Sequence, residues 1–181
     1  ITIVSLLGVK TEDIASAIRP FRSLPHRLEL VGTYRDITFY NDSLATIPEA
    51  TVHALRALGP NVTTLIAGGY DRHLDYTALG AYLRSHPVEN LILFPDTGKR
   101  IWEAIGSVTN SAKRRHVTVP HMVSSMEEAV KLAYNLTHKG KICLLSPASA
   151  SYNLFKNYED RGNQFKHSVK TLGNKKLNAG V

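Results

Sequence analysis

Short apolar runs alternate with amphipathic segments along most of the chain, and this alternation is the main clue to its fold. Runs of β-branched and aliphatic residues are typical of buried strands, whereas apolar residues that recur every three or four positions are typical of helices. Beyond residue 24 the pattern predicts strands at 28–34, 37–40, 62–67, 91–94, 117–119 and 142–145, and helices at 48–58, 76–85, 99–105, 125–137 and 158–172. This order predicts an α/β fold with a mostly parallel sheet and helices on both faces.

Local signals support several of these boundaries. Gly59-Pro60 ends the helix that begins at Pro48, because proline cannot continue a helix and glycine favours its C-terminal cap. Ser125 followed by Glu128 has the spacing of a capping box, which predicts a helix start at that point.

Composition excludes several classes of protein. The 181 residues are 43% hydrophobic and 20% charged, which is typical of a globular domain. The net charge of +7 invites a nucleic-acid hypothesis, but the basic residues are scattered apart from Lys113-Arg114-Arg115 and Lys175-Lys176, so no nucleic-acid partner is expected. A single cysteine, Cys143, excludes a disulfide framework, and no histidine pair has metal-ligand spacing.

The ends of the chain are also informative. No apolar run reaches transmembrane length, so no membrane partner is expected. The first residues lack both a methionine and the features of a signal peptide, and the chain is therefore interpreted as a piece of a longer protein.

Polar and small residues follow four of the predicted strands. Ligands gather at the carboxyl ends of parallel strands, so these segments are expected to form one rim. Its hydroxyls, carboxylates and guanidinium suit a ligand that combines carboxylates or phosphates with a ribose or an amine. The four segments are Asn41-Asp42-Ser43, Gly68-Gly69-Tyr70-Asp71-Arg72, Pro95-Asp96-Thr97 and the serine-rich run from Ser146 to Ser151.

Each of these residues also has a purely structural interpretation. Asp42 fits a capping role, Arg72 a solvated loop charge, and the serines from Ser146 to Ser151 simple turns. Asn157 and Tyr158 lie near a helix start, where capping and packing explain them equally well. The Gly-Gly pair before Arg72 favours a binding role, because it allows a tight turn that aims the side chain.

Taken in order, four blocks resemble the C-terminal part of the Mur ligase family, and most of all its glutamate-adding branch. The blocks are Leu24-Pro25-His26-Arg27-Leu28-Glu29, Asn41-Asp42-Ser43-Leu44-Ala45-Thr46, Ala67-Gly68-Gly69-Tyr70-Asp71-Arg72 and residues 146–165. The resemblance covers nearly the whole chain. It implies that residues 1–23 are the C-terminal remnant of a central ATPase domain and that 24–181 form a Rossmann-like, glutamate-binding domain, with a hinge near 23–27.

The resemblance also implies roles for individual residues. Arg27 would approach the phosphates of ATP and Asp42 would bind the ribose. Glutamate would be bound by the remaining candidates, with Arg72 standing where the family usually has lysine and Tyr158 where it often has phenylalanine. These candidates are Thr46, Arg72, Ser151, Tyr152, Asn157 and Tyr158.

One position departs from the family pattern. Where the family reads Asn-Asp-Ser-Lys-Ala-Thr-Asn, this chain has Leu44 in place of the lysine and Ile47 in place of the last asparagine. The change indicates altered substrate handling, such as use of L-glutamate or another amino acid, or weakened catalysis.

The implied reaction is the ATP-dependent joining of glutamate to UDP-N-acetylmuramoyl-L-alanine in peptidoglycan precursor synthesis. ATP and Mg²⁺ are the implied cofactors, although the phosphate loop, the Mg²⁺ ligands and the catalytic residues are expected outside this chain. A cytoplasmic monomer is implied. The alternatives are a non-catalytic α/β module that binds a nucleotide or an acidic metabolite, and an interaction domain suggested only by the charge.

Overall fold

A six-stranded sheet lies between two layers of helices in the computed structural model, which describes residues 2–20, 24–106 and 118–174. The strands are β1 (Glu29–Tyr34), β2 (Ile37–Asn41), β3 (Val62–Gly69), β4 (Asn90–Asp96), β5 (Val119–Met122) and β6 (Ile142–Leu145). The helices are α1 (Thr2–Leu6), α2 (Thr11–Ile18), α3 (Pro48–Leu58), α4 (Thr77–Ser85), α5 (Thr97–Ile105), α6 (Met126–Leu136) and α7 (Tyr158–Asn174).

The order of strands across the sheet is β1-β2-β6-β3-β4-β5. Only β1 is antiparallel to its neighbour; the pairs β2–β6, β6–β3, β3–β4 and β4–β5 are all parallel. The predicted fold class, a mostly parallel sheet, is therefore confirmed. As the last strand along the chain, β6 takes a central place, so the residues that follow it emerge between those that follow β2 and β3.

Alternating side chains of the central strands supply two separate cores. Leu65, Leu91 and Leu144 pack against α3, α4 and α5 on one face. Ile66 and Ile92 point to the other face, where α6 and α7 cover them. Burial on both sides explains why these strands read as continuous apolar runs in the sequence.

Most predicted boundaries agree with the structure to within two residues. The capping box forms with one difference: the Ser125 hydroxyl accepts from the N–H of Glu128, but the Glu128 carboxylate accepts from the N–H of Ser124 instead of Ser125. Val117 and the basic clusters at 113–115 and 175–176 lie outside the described residues. The boundary proposed at residue 23 also falls outside them and stays a prediction.

None of the helices described, over 2–20, 24–106 and 118–174, is long and apolar enough to cross a membrane.

Candidate functional site

The loop after β6 is joined to both of its neighbours at the carboxyl edge of the sheet. On one side the N–H of Asp42 donates to the carbonyl of Leu145 at 2.8 Å. On the other side the N–H of Gly68 donates to the carbonyl of Pro147 at 2.8 Å, and the N–H of Tyr70 donates to that of Ala150 at 2.9 Å. Three of the four predicted segments are thus brought together by main-chain hydrogen bonds.

The two glycines at the end of β3 are required because the main chain of neighbouring segments approaches both of them closely. A Cβ atom on Gly69 would lie 2.3 Å from the carbonyl oxygen of Ala150, and one on Gly68 would lie 2.7 Å from that of Phe94. Both residues also have positive φ angles, 95° for Gly68 and 148° for Gly69. A side chain at Gly69 would push β3 away from the loop after β6, and one at Gly68 would push it away from β4.

Several non-glycine residues at this edge have left-handed backbone conformations. Asp96 follows β4 with a φ of 65°, Ala148 follows β6 with a φ of 57°, and His26 precedes β1 with a φ of 63°. Such conformations persist only where the surrounding contacts fix them, and they are common at ligand sites.

A buried arginine, Arg161, connects the loop after β2 to the loop after β6. Its side chain is 0% exposed. The guanidinium donates to the hydroxyl and the carbonyl of Ser43, at 3.0 and 2.9 Å, and to the carbonyls of Ser149 and Ala150, at 2.9 and 3.2 Å. Burial lowers the pKa of Arg161 to about 9, so the group remains a cation at neutral pH. Its partners are all neutral oxygens of the two loops.

The sequence did not point to Arg161, although a signal was available. Arg161, Phe165 and Val169 are four residues apart along α7, and all three are buried on the face that packs against the sheet. A charged side chain on the buried apolar face of a helix is uncommon unless its N–H groups donate hydrogen bonds.

Asp42 is held by groups of the protein itself. One carboxylate oxygen accepts from the N–H of Leu28 at 3.1 Å, and the other accepts from the hydroxyl of Ser146 at 2.8 Å. The residue is 5% exposed, and burial raises its pKa, while Ser146, Leu28 and Arg27 act in the opposite direction. Asp42 thereby fixes the segment that carries Arg27, which is itself exposed, to the end of β6.

The serines after β6 fall into two groups, and the first is structural. The hydroxyl of Ser146 is bonded to Asp42, and that of Ser149 lies 2.7 Å from the hydroxyl of Thr97 and 2.9 Å from that of Tyr76. Thr97 also bonds both the N–H and the carbonyl of Gly69 at 2.9 Å. Ser146 and Ser149 therefore belong to a buried network that connects the strand ends.

Some of the remaining candidates have polar side-chain groups without a hydrogen-bond or ion-pair partner among the described residues. Among the described residues, the side-chain polar groups of Thr46, Arg72 and Ser151 make no hydrogen bond or ion pair, although Ser151 is only 2% exposed. Arg72 is exposed on a segment that its neighbours hold in place, since Asp71 accepts from the N–H of His73 and forms an ion pair with Arg100. Three predicted glutamate-binding groups are therefore available to a ligand.

The other three predicted glutamate-binding residues have different surroundings. Tyr152 is 68% exposed and its ring meets that of Tyr70 edge to face, with the centroids 6.2 Å apart. Asn157 caps α7, because its side-chain oxygen accepts from the N–H of Asp160 at 2.8 Å. Tyr158 is half-buried, and its carbonyl accepts from the hydroxyl of Ser43 at 2.7 Å.

The segment before β1 is bound to β2 and α7 through a polar cluster that the sequence did not predict. Glu29 accepts from the N–H of His26 at 2.9 Å and from Asn41 at 3.0 Å, and it forms an ion pair with Lys166 at 3.1 Å. Burial alone would raise the pKa of Glu29, but these donors lower it. Burial also lowers the pKa of His26, and Lys166 adds to that effect.

Leu44, the departure from the family pattern, is half-buried beside this cluster, and its N–H donates to the carbonyl of His26 at 3.0 Å. The residues described, over 2–20, 24–106 and 118–174, contain no group of three or more His, Cys, Asp or Glu side chains that could hold a metal ion.

Comparisons with known proteins identify relatives of this chain. The family of Mur ligase glutamate ligase domains matches residues 26–149. A UDP-N-acetylmuramoylalanine–D-glutamate ligase of Aquifex aeolicus is 38% identical over 165 residues, which are 90% of this chain and 37% of that protein. A ligase of the same name from Hahella chejuensis is 39% identical over 170 residues, which are 91% of this chain and 35% of that protein. The chain thus spans little more than a third of the length of these relatives.

Solved structures share the fold. The ligase MurC of Thermotoga maritima superposes with a TM-score of 0.60 at 14% identity, over 95% of this chain and 36% of that one. A bifunctional folylpolyglutamate synthase/dihydrofolate synthase of Yersinia pestis, complexed with AMPPNP and Mn ion, gives a TM-score of 0.56 at 14% identity, over 91% of this chain and 35% of that one. At such identities these similarities concern the fold alone. The match over residues 26–149 identifies the family, and the chain belongs to the glutamate ligase domains of the Mur ligases.

Proposed function

We propose that this chain is the amino-acid-binding C-terminal domain of an ATP-dependent ligase that joins glutamate to UDP-N-acetylmuramoyl-L-alanine. The observation that carries the proposal concerns the polar groups at the carboxyl edge, some of which are bonded within the protein while others have no partner among the described residues. Ser43, Ser146, Ser149 and Arg161 are used to hold the loops, whereas Thr46, Arg72 and Ser151 are not. The names of the relatives supply the amino acid and the acceptor.

The reaction has two chemical steps. A carboxylate oxygen of UDP-N-acetylmuramoyl-L-alanine attacks the γ-phosphorus of ATP, so that an acyl phosphate forms and ADP leaves. The amine of glutamate then attacks the acyl carbon, inorganic phosphate leaves, and the nitrogen loses a proton. This chain contributes positioning and charge to the second step, because it holds the nucleophile.

The proposed glutamate contacts use mainly the polar groups that have no partner among the described residues. The planar guanidinium of Arg72 would pair with one carboxylate of glutamate, and a two-pronged contact is available to arginine but not to lysine. The hydroxyl of Ser151 and the first-turn N–H groups of α7, near Asn157 and Tyr158, would bind the second carboxylate. Tyr152 would cover the ligand from the solvent side, and Thr46 would contact it from the loop after β2.

On the nucleotide side we assign Arg27 to the phosphates and Asp42 to the ribose. Both oxygens of Asp42 already accept one hydrogen bond each, from Leu28 and Ser146. A carboxylate has about four acceptor positions, so a ribose hydroxyl can be added without loss of these bonds. Binding of ATP at Asp42 would then be coupled to the loop after β6 through the Ser146–Asp42 hydrogen bond.

Mg²⁺ would be held by residues outside this chain, where the phosphate loop of the ligase is also proposed. When bound, the ion neutralises charge on the phosphates during the first step. The nucleotide substrates imply a cytoplasmic enzyme, and we propose a monomer.

Leu44 favours a second candidate, a ligase variant with a different amino acid or weakened chemistry. An apolar side chain here cannot supply the positive charge that the family pattern places beside the reacting phosphate. A panel of D- and L-amino acids assayed for phosphate release with the complete protein distinguishes the two: turnover with D-glutamate alone supports the first candidate. The absence of turnover with every amino acid would instead favour a non-catalytic binding module.

Arg72→Ala in the complete protein tests the site itself. We expect the KM for the amino acid to rise by about tenfold, since a charge-assisted contact is lost, and the KM for ATP to change by less than about twofold. Lys131→Ala, which removes an exposed cation from α6, is the matched control and should leave both values unchanged. A larger rise in the KM for ATP than for the amino acid would refute the assignment of Arg72.

A further inference from the structure

A cavity lies at the opposite edge of the sheet from the candidate functional site. It has a volume of about 680 Å³ and is bounded by the C-terminal ends of α3 and α4 and the starts of β3 and β4. This size is ordinary for a site that holds a small organic molecule. Its apolar walls include Leu55, Pro60, Val62 and Val88.

Thr63 borders this cavity and carries an unpartnered hydroxyl. Thr63 is 5% exposed, and its Oγ1 atom is buried without any hydrogen-bond partner. Thr63 is also the extra residue of a bulge, because Val62 pairs with Ile142 of β6 while Thr64 pairs with the next residue, Cys143. Bulges redirect side chains and are common beside binding sites. A buried hydroxyl without a partner carries a free-energy cost that a ligand atom would remove.

The rim of the cavity carries an aromatic stack and a cation. The rings of Tyr82 and His86 are stacked, with centroids 4.6 Å apart and planes 13° from parallel. The guanidinium carbon of Arg56 lies 5.4 Å from the centroid of the Tyr82 ring. A flat aromatic pair of half-buried Tyr82 and exposed His86 favours a planar ring, and an arginine beside it favours an acid.

The acidic residue of the lining does not cancel this preference. Glu89 also borders the cavity, but its carboxylate is engaged by Nε2 of His138 at 3.1 Å. Arg56 makes no ion pair among the described residues, and its charge is available.

We propose that this cavity binds a planar aromatic molecule that carries a carboxylate. The ring packs against the apolar walls and the Tyr82–His86 pair, the carboxylate meets Arg56, and a polar atom of the ligand bonds the hydroxyl of Thr63. The site does not depend on the proposed ligase function, since it shares no residue with the carboxyl edge of the sheet.

A titration of the ¹⁵N-labelled 181-residue chain with 4-hydroxybenzoate tests the proposal. We expect saturable shifts of backbone amide signals around Thr63, Tyr82 and Val88 in the NMR spectrum. Cyclohexanecarboxylate has the same charge but no planar ring, and it should bind several-fold more weakly.

Variants at the two edges of the sheet show which edge binds the ligand. Arg56→Gln and Thr63→Val should each weaken binding at least about fivefold, because each removes one polar contact. Thr63→Val keeps the shape of the side chain and removes only the unpartnered hydroxyl, so its spectrum should stay that of a folded domain. Arg72→Gln, an equal loss of charge at the carboxyl edge, should leave the affinity unchanged.

Three results would overturn the proposal. They are the absence of saturable shifts at millimolar ligand, equal affinity in Arg56→Gln and the parent chain, and loss of binding in Arg72→Gln. The last result would assign the ligand to the carboxylate-binding groups of the candidate functional site instead.

Discussion

Two arginines at the carboxyl edge of the sheet have opposite surroundings and opposite uses. Arg161 is wholly buried and donates to oxygens of Ser43, Ser149 and Ala150, while Arg72 is exposed without a partner among the described residues. The first therefore fixes the shape of the loops, and the second is free to recognise a ligand. Residue type alone does not distinguish these roles; burial and hydrogen bonding do.

Replacing Arg161 with methionine should destabilise the domain. The variant keeps most of the side-chain volume but leaves the oxygens of Ser43, Ser149 and Ala150 without their donors, and we expect the free energy of unfolding to fall by about 2–4 kcal/mol. Urea denaturation measures the change.

The control for this variant is Lys170→Met, which removes an exposed cation from the same helix and should cost less than about 0.5 kcal/mol. Equal stability of Arg161→Met and the parent chain would show that the loops hold their positions without the guanidinium.

The sequence left the serines of the last loop undecided, and the reason is physical. Ser146 and Ser149 bond residues far away along the chain, Asp42 and Thr97, and such partners follow from tertiary structure alone. The same holds for Arg161, whose partner Ser43 is 118 positions away. Conversely, Asn157 as a helix cap was among the alternatives that the sequence offered, because capping is a local interaction.

At the scale of elements, one polar cluster ties the segment before β1 to the end of β2 and to α7. Glu29 is its centre, with His26, Asn41 and Lys166 as its partners. The approach of α7 is close, since a Cβ atom on Gly162 would lie 2.2 Å from Nδ1 of His26. The segment that carries Arg27 is therefore held by two other elements.

This cluster should make stability depend on pH. The pKa of His26 lies below its ordinary 6.5 in the folded chain, so the unfolded chain binds a proton more readily. The stabilisation that comes with neutral His26 is complete above about pH 6.5 and is lost as the pH falls through the folded pKa. Glu29, whose pKa is also lowered, adds a second loss below about pH 4.5.

Urea denaturation at a series of pH values measures this dependence. His26→Gln should flatten the decline between neutral and mildly acid pH, whereas His53→Gln, at an exposed position of α3, should preserve it. A parent chain whose stability is constant over that range would contradict the role given to His26.

The elements themselves were largely predictable, because apolar periodicity determines them locally. The prediction for α3, at 48–58, agrees with the observed helix Pro48–Leu58, and that for β6 agrees with Ile142–Leu145. The order of the strands was not predictable, since nothing local places the last strand, β6, between β2 and β3.

The whole molecule has two distinct edges. The carboxyl edge carries the candidate glutamate and nucleotide groups, and the opposite edge carries the cavity lined by Thr63 and Arg56. The length of β3, from Val62 to Gly69, separates these sites, so each can be altered without direct contact with the other.

The 181-residue chain on its own should not catalyse the ligase reaction. Gly98-Lys99 lacks the upstream glycine of a phosphate loop, and under the proposed function the phosphate loop and the Mg²⁺ ligands lie outside this chain. We expect no phosphate release from ATP in the presence of glutamate and UDP-N-acetylmuramoyl-L-alanine. Release above the background of a chain boiled before the assay would contradict this expectation.

The buried guanidinium of Arg161 has a consequence for ionic strength. Its acceptors are neutral oxygens shielded from solvent, so dissolved salt has little charge to screen and the loops should keep their arrangement in concentrated buffer. Arg72 is exposed, so dissolved salt does screen its charge. High salt would therefore weaken the capture of an acidic amino acid while the pocket that receives it stays intact.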